Sequence, residues 1–147
     1  MRTKKVNRYY CDFCKKAGCN KYWIVRHEEH CTMNPDRKCG MCEAMDKSQP
    51  EMSDLLSILP KPEEYFETIE YGEGEFADSY SITKLNQIFD LQKLRDVAEN
   101  CPICIFAALR QIKIPIPAVE GFDFKKECAS MWAEINTSNE PDYSEYQ

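Results

Sequence analysis

Cys11-Asp-Phe-Cys14-Lys-Lys-Ala-Gly-Cys-Asn-Lys-Tyr-Trp-Ile-Val-Arg-His27-Glu-Glu-His-Cys31 is the stretch on which the fold turns. Two thiols three positions apart, then an imidazole and a further thiol four positions beyond it, are the donor types and spacings that hold tetrahedral zinc. Two more Cys-x-x-Cys pairs follow, Cys39/Cys42 and Cys101/Cys104, and together they supply four thiolates for a second, all-cysteine site. The expected cofactor is therefore Zn²⁺, two ions, held by Cys11, Cys14, His27 and Cys31 in one site and by Cys39, Cys42, Cys101 and Cys104 in the other.

Cys19, Cys128 and His30 are left over. His30 competes for the fourth place of the first site, but Cys31 is favoured because three intervening residues return a ligand to the same helical face. Cys128 lies on an apolar stripe with Phe124, Met131, Trp132 and Ile135 and reads as packing in a last helix. A disulfide framework is the rival account of nine cysteines. It fits poorly with Met1-Arg-Thr-Lys-Lys-Val-Asn-Arg8, which holds no apolar signal segment, so a reducing cytoplasm is the expected location. The apolar runs are too short to cross a bilayer, and no membrane partner is expected.

Charge divides the chain. Residues 1–47 carry eleven Lys/Arg against six Asp/Glu, a net +5, and residues 48–147 carry eight against nineteen, a net −11. The basic half is the half with the first donor set, where a phosphate backbone would dock.

Tyr9 stands two residues before Cys11, and Ile24 stands three before His27, both placed to pack beneath a metal. With the segment from Lys21 to Cys31 as the helix carrying the last two ligands, residues 9–31 resemble the two-cysteine, two-histidine zinc finger. The resemblance implies a ββα-like module. It fails at two positions: Gly18 stands where an inner phenylalanine is usual, which weakens the small core, and Cys31 replaces the second histidine. By the same resemblance the base-facing positions are Asn20, Tyr22, Trp23 and Arg26, with Lys15, Lys16 and Lys21 and the arm Arg2, Lys4, Lys5 and Arg8 on phosphates. Asn and Arg read base edges, whereas Tyr22 and Trp23 suit stacking on an unpaired base or a pocket on another protein. Trp23 packed against the chain's own acidic body is the competing expectation. One finger spans only ~3 base pairs, so weak and salt-sensitive contact is expected.

Beyond the turn Asn34-Pro35-Asp36, Gly40 between Cys39 and Cys42 suggests a tight zinc knuckle. Its partner Cys101-Pro102-Ile103-Cys104 opens a helix, with Asn100 or Cys101 as cap and Pro102 in the first turn. A knuckle facing a helix start resembles a treble-clef site with a long insertion, residues 43–100. Closing those 58 residues costs about 3.6 kcal/mol by chain entropy, against roughly 10–16 kcal/mol from a structural zinc. Within the insertion, Ser53–Leu59 reads as a short helix ended by Pro60. Leu85, Ile88 and Phe89, then Leu91, Leu94, Val97 and Ala98, recur at helical spacing, and Tyr71-Gly-Glu-Gly-Glu75 reads as an acidic turn. Ile114-Pro-Ile-Pro117 reads as an extended connector that excludes a helix. The expected organisation is small, zinc-stabilised and mainly α. It comprises a finger module with a basic arm (1–34), a helical body around the second zinc site (35–136) and a disordered acidic tail (137–147).

Catalysis is not expected. His27 and His30 are the two histidines, residues 43–100 offer no histidine base for a His-Asn-His nuclease, and His27-Glu-Glu-His30 is one residue short of a zincin motif. The Cys-x-x-Cys pairs lack the preceding proline of zinc deaminases, and four protein ligands leave no place for a reactive water. Along two thirds of its length, from Cys-Asp-Phe-Cys through His27-Glu-Glu-His-Cys31, Asn34-Pro35 and Cys39-Gly-Met-Cys42 to Cys101-Pro-Ile-Cys104 and Arg110-Gln111, the chain is similar to small zinc-finger proteins of bacteriophages and prophages. That resemblance implies a host-cell cytoplasmic setting. Two functions are in play. One is a nucleic-acid-binding accessory or regulatory protein, with DNA favoured over RNA. The other is an adaptor or inhibitor that binds a host or viral protein through Tyr22, Trp23 and the acidic stretch from Glu63 to Asp78.

Overall fold

The computed structural model describes residues 1–71, 75–80 and 82–138, with the backbone alone for 66–71, 75–80, 82 and 83. Two short antiparallel strands come first, β1 (Tyr9–Tyr10) and β2 (Ala17–Gly18), with Tyr9 opposite Gly18 and Tyr10 opposite Ala17. The ten-residue helix α1 (Lys21–His30) follows, capped by Asn20, whose side chain accepts from the N–H groups of Tyr22 and Trp23. Ile24 is the buried residue of α1 and lies over Gly18. This ribbon and helix form a small layer with its own apolar centre.

The larger core begins at Cys39 and is gathered around α7 (Pro102–Gln111). Ile105, Ala107, Ala108 and Leu109 have no exposed surface, so α7 is apolar on nearly all sides, as a central helix must be. Five helices surround or precede it: α2 (Gly40–Ala44), α3 (Met52–Ile58), α4 (Pro62–Tyr65), α5 (Ile82–Ile88) and α6 (Leu91–Ala98). Helix α8 (Phe124–Ser138) closes the far side, where Phe124 stacks on Phe106 with ring centroids 4.1 Å apart. Arg95 of α6 ion-pairs with Glu127 of α8 and donates to the Gly121 carbonyl at 2.9 Å, tying the loop before α8 to α6. None of the described helices is long and apolar enough to cross a membrane.

Several expectations from the sequence are corrected here. Strand β3 (Phe66–Tyr71) pairs antiparallel with β4 (Glu75–Tyr80), in register from Phe66 opposite Tyr80 to Tyr71 opposite Glu75, where the sequence predicts no strand; residues 72–74 of the expected acidic turn lie outside the described residues. The prolines of Ile114–Pro117 do not exclude a helix: Ile116–Ala118 is a 3₁₀ turn in which the Ala118 N–H bonds the Pro115 carbonyl at 3.0 Å, because proline's fixed φ suits that turn. Trp132, Ile88 and Val97 share helical spacing with core residues yet stand 39%, 46% and 36% exposed. Thr137 and Ser138, assigned to the tail, belong to α8, and residues 139–147 lie outside the described residues. Glu63 and Glu64 of the acidic stretch are exposed, and the side chains from 66 to Asp78 lie outside the described residues.

Candidate metal centres

The first cluster forms where the strand ribbon meets the end of α1. The Cys11, Cys14, His27 and Cys31 donor atoms lie within 4.8 Å of one another, with Cys14 Sγ 3.2 Å from His27 Nε2. The turn between β1 and β2 is closed by the Cys11 N–H on the Lys16 carbonyl at 2.9 Å. It aims further N–H groups at sulfur, Phe13 to Cys11 Sγ and Lys16 to Cys14 Sγ, each at 3.4 Å. Burial raises the Cys14 thiol, but the Lys16 N–H and then the neighbouring thiols Cys11 and Cys31 outweigh it and hold it below the ordinary value. His27 is also held low, by burial first and the Lys16 charge second, which keeps its ring neutral and able to donate a lone pair. Cys31, the most enclosed of the four, is pushed up by burial.

His30 does not join this cluster. Its Nδ1 lies 3.0 Å from the Lys38 carbonyl, on the path from α1 to the second cluster. The spacing argument for Cys31 agrees with this placement.

The second cluster is buried at the meeting of two helix N-termini. Cys39 caps α2, with the Cys42 N–H 3.5 Å from its sulfur, and Cys101 caps α7, with Pro102 as the first helical residue. Gly40 is helical and has open space around its missing Cβ, so the tight turn expected of it is not needed. Asn100 is not the cap either. With Glu99 it takes a left-handed conformation (φ 60° and 50°), which ends α6 and reverses the chain into Cys101.

Sulfur atoms stand 3.6 Å apart in the pairs Cys39/Cys101 and Cys42/Cys104. That is far beyond a disulfide and close to the ~3.8 Å edge of a tetrahedron with metal–sulfur bonds of ~2.3 Å. Four thiols so close cannot all ionise unaided. Hydrogen bonds from Cys101 foremost hold Cys39 far down, and Cys104 holds Cys101 down, while the Cys101 neighbour pushes both Cys42 and Cys104 far up.

Arg37, only 4% exposed, supplies an independent test of fit. Its Nη1 lies 4.0 Å from Cys104 Sγ and its Nε has no partner. Among the described residues no carboxylate pairs with it. A buried cation without an anion is costly, and four thiolates around a divalent cation carry the net negative charge it lacks. The residues present therefore fit two metal ions, one in each cluster.

Sequence reasoning missed Arg37 and the groups that join the two centres. Gln49 fixes the chain before the second centre, accepting from the Cys39 N–H at 2.6 Å and donating to the Arg37 carbonyl at 2.7 Å. Asn34 donates to the Glu28 carbonyl at 2.8 Å. Gln111 at the end of α7 donates to the carbonyls of Thr32 and Asn34 at 2.9 and 3.1 Å, and Arg110 to the Thr32 hydroxyl at 2.8 Å. A lone polar residue between two Cys-x-x-Cys pairs has no spacing signature by which to find it.

The remaining predicted residues gather on and beside α1. Lys15 and Lys16 are exposed on the turn, Lys21 opens α1, and Tyr22, Trp23 and Arg26 project from it, with Tyr22 66% and Trp23 63% exposed. Trp23 thus does not pack on the acidic body. Its ring meets Tyr22 edge-on at 6.5 Å between centroids. Asn20 is committed to the cap through its side-chain oxygen, so reading adenine with both side-chain atoms would break that cap. Cys19 is exposed, and Cys128 lies half-buried against the core as packing requires. No family model matches the chain, and no curated protein or solved structure is found to be similar to it.

Proposed function

We propose that the protein is a zinc-binding, non-enzymatic nucleic-acid-binding protein of accessory or regulatory type, in which both metals are structural and the exposed side of α1 is the contact surface. Zinc is favoured among metals by the donor sets, three thiols with one imidazole and four thiols, within tetrahedral reach. Each set fills all four positions with protein ligands, which supports a structural rather than a hydrolytic role. In this reading the ribbon and α1 act as a finger-like module (1–34) and the rest as a helical body.

The observation that carries the proposal is that Lys16 and Arg26 line one cleft with the exposed ring of Trp23, while Lys15, Lys21 and the ring of Tyr22 stand exposed on the adjoining turn and helix. Cations hold phosphates by counterion release, and exposed rings offer stacking surface. The arm with Arg2, Lys4, Lys5 and Arg8 precedes β1 in the sequence, is exposed, and adds four cations to the same basic half.

The test is fluorescence anisotropy of labelled DNA and RNA with metal-loaded protein across a salt series, with metal content measured on the same sample. Micromolar binding that weakens with salt, and weakens further in Arg26→Ala, is the expected result. Absence of binding at low salt with both ions present would overturn it.

A further inference from the structure

A cleft of about 440 Å³ opens between α1 and β2, lined by Gly18, Ile24, Trp23, Lys16 and Arg26 among others. Gly18 pairs with Tyr9 in the ribbon, and a Cβ built on it would stand 3.5 Å from Ile24 Cδ1, an ordinary contact distance. Gly18 thus lines the cleft without a side chain of its own, beside Ile24, which is itself only 5% exposed.

Two costs are left unrelieved there. Apolar atoms lining the void lack contacts on one side, and Trp23 keeps 63% of its surface in water. An apolar, flat occupant would relieve both. The border is cationic, with Lys16 and Arg26 exposed, and among the described residues no carboxylate lines the cleft. An occupant that is planar, aromatic and attached to negative charge satisfies both the lining and the border.

We infer that the cleft takes one unpaired base of a single-stranded nucleic acid, stacked against Trp23, with the flanking phosphates on Lys16 and Arg26. The inference rests on the nucleic-acid-binding reading above and narrows it. A base inside a duplex has its faces already stacked and cannot enter, so single strands are bound in preference to duplex. The contact is to the face of the ring, which every base has, so sequence preference is weak.

The experiment compares single-stranded DNA, single-stranded RNA and duplex DNA of one sequence, binding to the full metal-loaded chain. Trp132→Phe serves as background, leaving Trp23 as the remaining tryptophan of two. Single strands are expected to bind more tightly than duplex and to quench Trp23 emission. Gly18→Val, which adds a side chain to the cleft lining, is expected to lose about tenfold or more in single-strand affinity while keeping both ions, and Trp23→Ala to lose as much. Which of DNA and RNA binds more tightly identifies the source of the base. Unchanged single-strand affinity in Gly18→Val and Trp23→Ala, or duplex bound as well as single strand, would overturn the cleft while leaving nucleic-acid binding in place. No binding to any of the three would overturn both. Should Gly18→Val lose a metal ion, Trp23→Ala decides alone, since that side chain is 63% exposed and is none of the four donors.

Discussion

Arg37 shows how one side chain reports the charge state of its surroundings. Its guanidinium is 4% exposed, 4.0 Å from Cys104 Sγ, and without a carboxylate partner among the described residues. Leucine in its place would conserve much of the volume and remove the charge, leaving the thiolates of the second centre with one compensating cation fewer. Groups that support metal ligands in this way change affinity by about 10–100-fold when removed. Arg37→Leu is accordingly expected to weaken metal at Cys39/Cys42/Cys101/Cys104 by about that factor, with Arg37→Lys intermediate. Competition with a coloured chelator reads both sites, and the first centre serves as internal control because Arg37 does not touch it. Equal affinity in Arg37→Leu and wild type would mean that the thiols balance their charge without this cation. The eight donors themselves were legible from spacing, since a Cys-x-x-Cys pair is a local pattern. Arg37 was not, because its role exists only after a partner 67 residues away is brought beside it.

At the scale of elements, the reversal between α6 and α7 decides where Cys101 points. Glu99 and Asn100 hold consecutive left-handed conformations at φ 50° and 60°, and their N–H groups close back on the Arg95 carbonyl. Asparagine tolerates this region, whereas glutamate carries a Cβ penalty of roughly 1–2 kcal/mol. Glu99 is exposed, so replacing it by glycine sacrifices little contact. Glu99→Gly is expected to stabilise the body by up to about 1 kcal/mol once glycine's greater unfolded entropy is subtracted. Chemical denaturation measures this, and a loss of stability would show that the Glu99 side chain does more than cap the helix. The sequence disclosed helices well where apolar residues recur over several turns, as in α6, and where a cap and a first-turn proline mark the start, as in α7. It did not disclose the pairing of β3 with β4. Phe66-Glu-Thr-Ile-Glu-Tyr71 breaks the strict alternation that marks a half-buried strand, and Gly72 and Gly74 signal only a turn. The 3₁₀ turn at Ile116–Ala118 was hidden for a related reason, because proline forbids continued α-helix but fits a single tighter turn.

On the scale of the whole molecule there are two cores and two charge signs, joined by a polar seam. The larger apolar cluster starts at Cys39 and includes neither Ile24 nor the Cys11 and Cys31 sulfurs, which are buried together in the smaller layer. The seam consists of hydrogen bonds from Gln111 and Arg110 of α7 to Thr32 and Asn34 in the linking segment, with Asn34 in turn donating to the Glu28 carbonyl of α1. Access differs just as clearly. Cys14 and His27 of the first centre are half-buried, whereas all four thiols of the second are 1–3% exposed. A chelator must reach a ligand to displace the metal, so metal release from the wild-type chain is expected in two phases of equal amplitude, the faster from the first centre. Circular dichroism should register little helix loss in the fast phase, where only α1 is at stake, and most of it in the slow one. The slow phase frees a loop of 58 residues, and closing it costs about 3.6 kcal/mol, far less than the roughly 10–16 kcal/mol returned by a structural zinc. Cys11→Ser should remove the fast phase and leave the slow one, while Cys39→Ser should unfold the body. A single phase, with both ions and all helix lost together, would mean that the seam at Gln111 couples the two centres into one cooperative unit, and the division into a finger-like module and a body would fall.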